Sequence, residues 1–171
     1  MVKEILLLGN PKLYNRSEPV HLGELGQVNK IVEDLHDTLM DYRDKYGLGR
    51  AISAPQIGVH KRVIYMHVTE PVVFINPEMS FIGPAMFELK DDCLSFPGLY
   101  VKVRRYKKSV IKYKDIDWND CELELANDMS ELLQHEYDHL NGILATMRAV
   151  DNKSFFMRDL TKKISGEGIH A

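Results

Sequence analysis

His135-Glu136-Tyr137-Asp138-His139-Leu140-Asn141 decides how this chain is read. The letters are H-E-x-x-H, and the spacing predicts a helix. Four residues make close to one α-helical turn, so His135 and His139 share a face. Two imidazoles so placed can grip one metal ion, with Glu136 beside an ion-bound water as proton acceptor. A solvated, charge-rich helix with two incidental histidines would carry the same letters. The pattern gains weight only if a third ligand and an oxyanion partner come from elsewhere. A metal site draws ligands from more than one element, so this helix is expected to lie against a sheet.

Working outward, Asp128 followed by Glu131 reads as a capping box that starts the helix, and Gly142 suits its stop. Short β-type runs precede it at 62–66, 72–75, 79–87, 99–103 and 109–113, with a last one at 121–125. Pro71, Asn76-Pro77, Gly83-Pro84 and Pro97-Gly98 punctuate them as turns. Further upstream, Val28, Ile31, Val32, Leu35 and Leu39 recur at helical spacing. They mark an amphipathic helix over roughly residues 24–45, ended by Gly47 and Gly49. His36 on that helix reads as a surface or core-edge residue. Strands bracketed by one helix on each side predict an α+β fold. The expected domain is single, spanning 1–171, with short antiparallel strands around the H-E-x-x-H helix and a mobile tail from about 165.

The length of 171 residues suffices for one core without disulfides. Cys93 and Cys121 make no disulfide framework, and the apolar run Ile5–Leu8 is too short for an export signal or a membrane span. A cytoplasmic protein with reduced thiols is expected, with no membrane partner. The net charge of -3 gives no general basic field, so DNA is not expected as a partner. The stretch Lys102–Lys114 is locally basic, but it alternates with Val101, Val103, Val110 and Ile111. It reads first as a solvated strand face, and only second as a surface for transient ribosome contact.

The third ligand narrows the chemistry. One metalloprotease pattern, H-E-x-x-H-x-x-G-x-x-H, is met by Gly142 but ends here on Ala145, which cannot bind metal. A downstream glutamate is the other usual solution, and the one available, Glu167, lies in the Gly-flanked tail. Both absences disfavour an ordinary zinc protease. Upstream stands Asp91-Asp92-Cys93-Leu94-Ser95, where Cys93 offers a soft thiolate just before a turn. Cysteine plus two histidines would leave a coordination position open for water. A lone cysteine is more often a small buried apolar residue, and both readings stay open on the residues alone.

Three segments occur in order: Ser53-Ala54-Pro55-Gln56-Ile57-Gly58, then Cys93-Leu94-Ser95, then Gln134-His135-Glu136-Tyr137-Asp138-His139-Leu140-Asn141-Gly142. Together they resemble the three signature motifs of the peptide deformylases. Gly9-Asn10-Pro11-Lys12-Leu13 is similar to that family's opening segment, and the likeness covers roughly residues 5–150. The resemblance implies a divalent metal, Fe2+ first and Zn2+, Ni2+ or Co2+ otherwise, on Cys93, His135 and His139. It implies Glu136 as general base, with Gln56 and the backbone N–H of Leu94 facing the developing oxyanion. The implied substrate is the N-formyl group on the initiator methionine of nascent peptides, released as formate.

The chain departs from the family pattern in two places. In G-x-G-x-A-A-P-Q, Ala51 replaces the second glycine and Ser53 the first alanine. In E-G-C-L-S, Asp91 replaces glutamate and Asp92 replaces glycine. Ala51 is expected to crowd the pocket rim, and Asp92 to put a side chain beside the metal. Asp91 is expected to pair with Arg105. These departures support a second reading, a deformylase-like amidase with altered substrate or reduced activity.

Overall fold

Residue parity along the strands explains most of the architecture. The computed structural model describes residues 1–159, so the tail expected from about 165 lies outside the described residues. Helix α1 spans Leu25–Tyr46 and buries Val28, Leu35, Leu39 and Tyr42, a single stripe at helical spacing. It ends at Gly47, whose φ of 70° closes the last turn with an N–H bond to the Arg43 carbonyl. Strands β1 (Ala51–Ser53), β2 (Val63–His67), β3 (Pro71–Phe81), β6 (Lys108–Lys114) and β7 (Asp120–Ala126) form one antiparallel sheet in that order.

This sheet is covered on both faces where β1, β2 and β3 adjoin. Ile52, Val63, Tyr65 and Ile75 face α1, while Ala51, Ile64, Met66 and Phe74 face helix α2 (Asp128–Leu140) through Leu132, Leu133 and Leu140. Alternate residues of one strand thus serve two cores, as the period-two pleat requires. Each fully buried Leu or Ile side chain contributes about 1.5–3 kcal/mol. Ala51 is fully buried in the core beneath α2, so its methyl packs in the interior and does not crowd a pocket rim.

A second sheet of β4 (Met86–Asp91), β5 (Leu99–Tyr106) and β8 (Phe155–Met157) stands beside the first. Asp91 closes β4 opposite Val101, and the turn between β4 and β5 delivers Cys93 to the flank of α2. The expected turn at Asn76-Pro77 is instead a bulge inside β3, with Asn76 at φ 50° and the register slipping between Ile75 and Glu78. Pro77 cannot donate to the ladder, and a bulge absorbs that loss without ending the strand. The expected run 79–87 divides between β3 and β4, broken at Gly83-Pro84.

Helix α2 starts without the expected capping box. Asn127 precedes it with φ 51° and no side-chain cap, and the Glu131 carboxylate turns away to Arg50 at 2.6 Å. An ion pair with a half-buried guanidinium outcompetes a bond to a helix-end amide. Past the far end, Gly142 has φ 73°, and a Cβ there would meet the Tyr14 carbonyl oxygen at 2.3 Å. Only glycine fits this approach. The N-terminal segment is tied to the rest by Leu6 N–H to Gln56 O, Leu8 N–H to Ser95 O and Ser17 N–H to Leu140 O, at 2.8, 2.8 and 2.9 Å. No described helix is long and apolar enough to cross a membrane.

Candidate metal centre

The i, i+4 pair on α2 meets the turn after β4. His139 Nε2 lies 3.2 Å from Cys93 Sγ and 3.2 Å from His135 Nε2, and the three donor atoms all fall within 4.8 Å of one another. Donors on a tetrahedron with arms of about 2.0–2.3 Å stand roughly 3.3–3.6 Å apart. The residues therefore fit one shared cation. A sulfur with two imidazoles suits a divalent transition ion and not Mg2+ or Ca2+. All three residues are buried.

Behind the donors runs a ladder of charge. His135 Nδ1 meets both oxygens of Asp91 at 2.9 Å, which fixes the ring and leaves Nε2 facing the site. Asp91 accepts from Arg105 at 2.8 Å, so the expected pair forms. Arg105 reaches on to Asp138 at 2.5 Å, and Arg148 grips Asp138 at 2.5 and 2.7 Å. Arg105 is thus buried in the ladder, a correction to its reading as part of a solvated strand face. Its position could have shown this. Arg105 shares parity with the buried Val101 and Val103 on β5, while Arg104 points out to Glu88.

Burial works against ionisation of Asp91, yet His135 and Arg105 overcome it and hold the carboxyl below the usual carboxylate range. Burial and then His135 push His139 down, towards the neutral form a ligand needs. Burial also presses on His135, but Asp91 and Cys93 prevail and pull it up. Groups that draw a proton onto the site would draw a metal cation there too.

The other residues of the three motifs converge on the same place. Gln56, buried on the turn after β1, points Nε2 at Cys93 Sγ (3.4 Å) and Ser95 Oγ (3.2 Å). Its Oε1 is held by the Ser53 backbone N–H at 2.9 Å. The Ser95 N–H also bonds Cys93 Sγ, at 3.4 Å. Leu94 follows Cys93 in the turn and sends its side chain into the core beneath α1. Glu136 is buried one residue beyond His135, and burial raises its pKa against the pull of His135 and a hydrogen bond from Ser53. A carboxylate so raised is a better proton acceptor near neutral pH.

Asp92 is buried too, lining a notch of about 10 Å³ with Cys93, Tyr42, Tyr100 and Arg158, room for roughly one water. Its Oδ1 has no hydrogen-bond partner, and burial followed by the Asp91 charge pushes its pKa up to about 8.

A sequence model of the polypeptide deformylase family matches residues 2–155. The chain belongs to the peptide deformylase family. It is 34% identical to the peptide deformylase of Thermotoga maritima over 155 residues, 90% of this chain and 91% of that one. Against the deformylase of Stutzerimonas stutzeri it is 36% identical over 166 residues, 95% and 93% of the two chains. The crystal structure of the T. maritima deformylase superposes with a TM-score of 0.81 at 32% identity, covering 88% of this chain and 99% of that one. A Met-Ala-Ser-bound deformylase from Acinetobacter baumannii gives 0.79 at 28% identity, covering 86% and 98%.

Deformylase membership fixes the class of the chain, while its own residues add what the motifs did not announce. Sequence reading had no role for Ser53 or Arg50, took Glu131 for a capping residue, and gave Asp138 no catalytic part. Each acts through a partner far along the chain: Ser53 with Glu136, Arg50 with Glu131, Asp138 with Arg105.

Proposed function

We propose that this metal-dependent deformylase removes the formyl group from the initiator methionine of nascent peptides, with Cys93, His135 and His139 holding the ion. The observation that carries this reading is the meeting of Gln56 Nε2 with Cys93 Sγ at 3.4 Å, an amide donor aimed where a formyl oxygen would gain charge. The Met-Ala-Ser peptide of the A. baumannii neighbour is what such a reaction would leave. When bound, a divalent cation supplies Lewis acidity, making water nucleophilic near neutral pH and polarising a carbonyl.

The chain's own groups do the rest. Glu136 takes a proton from the attacking water as its oxygen bonds the formyl carbon, and returns that proton to the leaving nitrogen as the C–N bond breaks. Formate and a free amino terminus result. Gln56 Nε2 and the Leu94 N–H donate to the carbonyl oxygen as it becomes an oxyanion, each contributing about 3–4 kcal/mol to the transition state. Fe2+ is the proposed physiological ion, and Zn2+, Ni2+ and Co2+ suit the same donors.

Residues 1–171 act as one catalytic domain in this reading. Its place is the cytoplasm, where formylated chains emerge, with transient ribosome contact through exposed Lys107, Lys108 and Lys112. The amidase alternative is not favoured. Its support from Ala51 is gone, and the relatives over most of the chain are deformylases.

Formate release from formyl-Met-Ala-Ser by anaerobically purified, Fe2+-loaded protein tests the proposal. Turnover is expected for the native chain, none for Glu136→Ala, and a chelator should abolish it. Equal rates with and without Glu136 would end the reading.

A further inference from the structure

We infer that Ser53 is a positioning residue for the general base, a role that rests on Glu136 serving as that base. Ser53 ends β1 with no solvent exposure, on the face turned to α2, where the family motif carries alanine. Its hydroxyl donates to Glu136 Oε2, and Ser53 Oγ also lies 3.2 Å from the Glu136 carbonyl oxygen. Its backbone N–H holds Gln56 Oε1 at 2.9 Å, which turns Gln56 Nε2 towards Cys93 and Ser95. One residue therefore touches both halves of the hydrolytic machinery, the base through its side chain and the oxyanion donor through its backbone.

These two contacts are separable. Alanine at 53 keeps the N–H and loses the hydroxyl, so Gln56 stays fixed while Glu136 is released. A glutamate side chain has three rotatable bonds, and fixing one carboxylate oxygen removes the rotation that would carry the other away from the water. Ser53 occupies Oε2 and so leaves Oε1 as the oxygen that accepts the proton. The side-chain contact spans 83 residues and joins the end of β1 to the third turn of α2. It thus also fixes the depth at which α2 sits against the sheet edge.

The test uses Fe2+-loaded protein, three single variants and the Ser53→Ala/Glu136→Ala double variant. Ser53→Ala is expected to lower kcat about tenfold, the usual range for losing an orienting partner. KM should stay within about twofold, since ground-state binding is untouched. Ser53→Thr, which restores the hydroxyl, should recover most of the loss. A second readout is independent of turnover and of threonine fitting the buried site. In urea unfolding, Ser53→Ala should shift the midpoint more in the native background than in Glu136→Ala, where only the contact with the backbone carbonyl is left to lose. Unchanged kcat in Ser53→Ala, or equal midpoint shifts in both backgrounds, overturns the inference. Glu136→Ala with native turnover would overturn the base assignment and this role together. An inactive Glu136→Ala beside a fully active Ser53→Ala would overturn this role alone.

Discussion

The two sides of Cys93 make opposite use of an aspartate. On the side facing β5 and α2, Asp91 is 3% exposed and bonds His135 and Arg105. On the side facing the notch, Asp92 is 8% exposed and leaves Oδ1 without a partner. Arg158 lines the same notch, yet among the described residues no ion pair joins it to Asp92. Burial is the first influence on both carboxyls and pushes both up, but Asp91 ends below the ordinary range and Asp92 near 8. Depth alone does not set the charge of a buried acid. The cations within hydrogen-bond reach decide it.

The strongest way to break this contrast is to take away the cation that favours Asp91. Arg105→Ala leaves Asp91 and Asp138 buried with less compensation, and should destabilise the protein by about 3–5 kcal/mol in urea unfolding. A loss under about 1 kcal/mol would mean the ladder is ornamental. Asp91→Asn should be milder for folding but weaken metal retention about 10–100-fold in a chelator competition, since His135 loses its anionic anchor. Unaltered retention would show that ring orientation comes from packing alone.

The mildest effect is on pH dependence in metal-free protein, where the two aspartates pull in opposite directions. Asp91, lowered in the fold, adds stability that is complete above its unfolded value of ~3.9 and is lost as pH falls through the lower folded value. Asp92, raised in the fold, keeps its proton longer than the unfolded chain does. Its stability cost therefore grows as pH rises from ~3.9 towards about 8. Asp91→Asn should flatten the acid limb of the urea midpoint, and Asp92→Asn the decline above it. Identical profiles for Asp92→Asn and the native chain would place that carboxyl in water.

What the sequence displayed, and what it concealed, divides along the same line. Helix α1 was legible because Val28, Leu35 and Leu39 repeat at its own period, and α2 because His135 and His139 stand one turn apart. Cys93, Gln56 and Glu136 were legible through motifs whose spacing is local. The partners of charged groups were not. Glu131 has the letter and offset of a capping residue, and only the fold brings Arg50, 81 positions away, close enough to claim it. Strands β1 and β8, three residues each, are too short to show a period and exist because neighbours pair with them. Ser53 looked like a mere departure from a motif until β1 was laid beside α2.

The glycine at 142 sets an order of events during synthesis. Its backbone nests against the carbonyl of Tyr14, and Ser17 caps the Leu140 carbonyl, so the opening segment and the end of α2 complete one another across more than a hundred residues. In a growing chain Leu6 and Leu8 can meet Gln56 and Ser95 early, but Tyr14 and Ser17 wait for their partners until Leu140 and Gly142 emerge. Such distant closure is slow compared with local helix formation. The far end of the helix that carries His135 and His139 is therefore seated against a segment made more than a hundred residues before it.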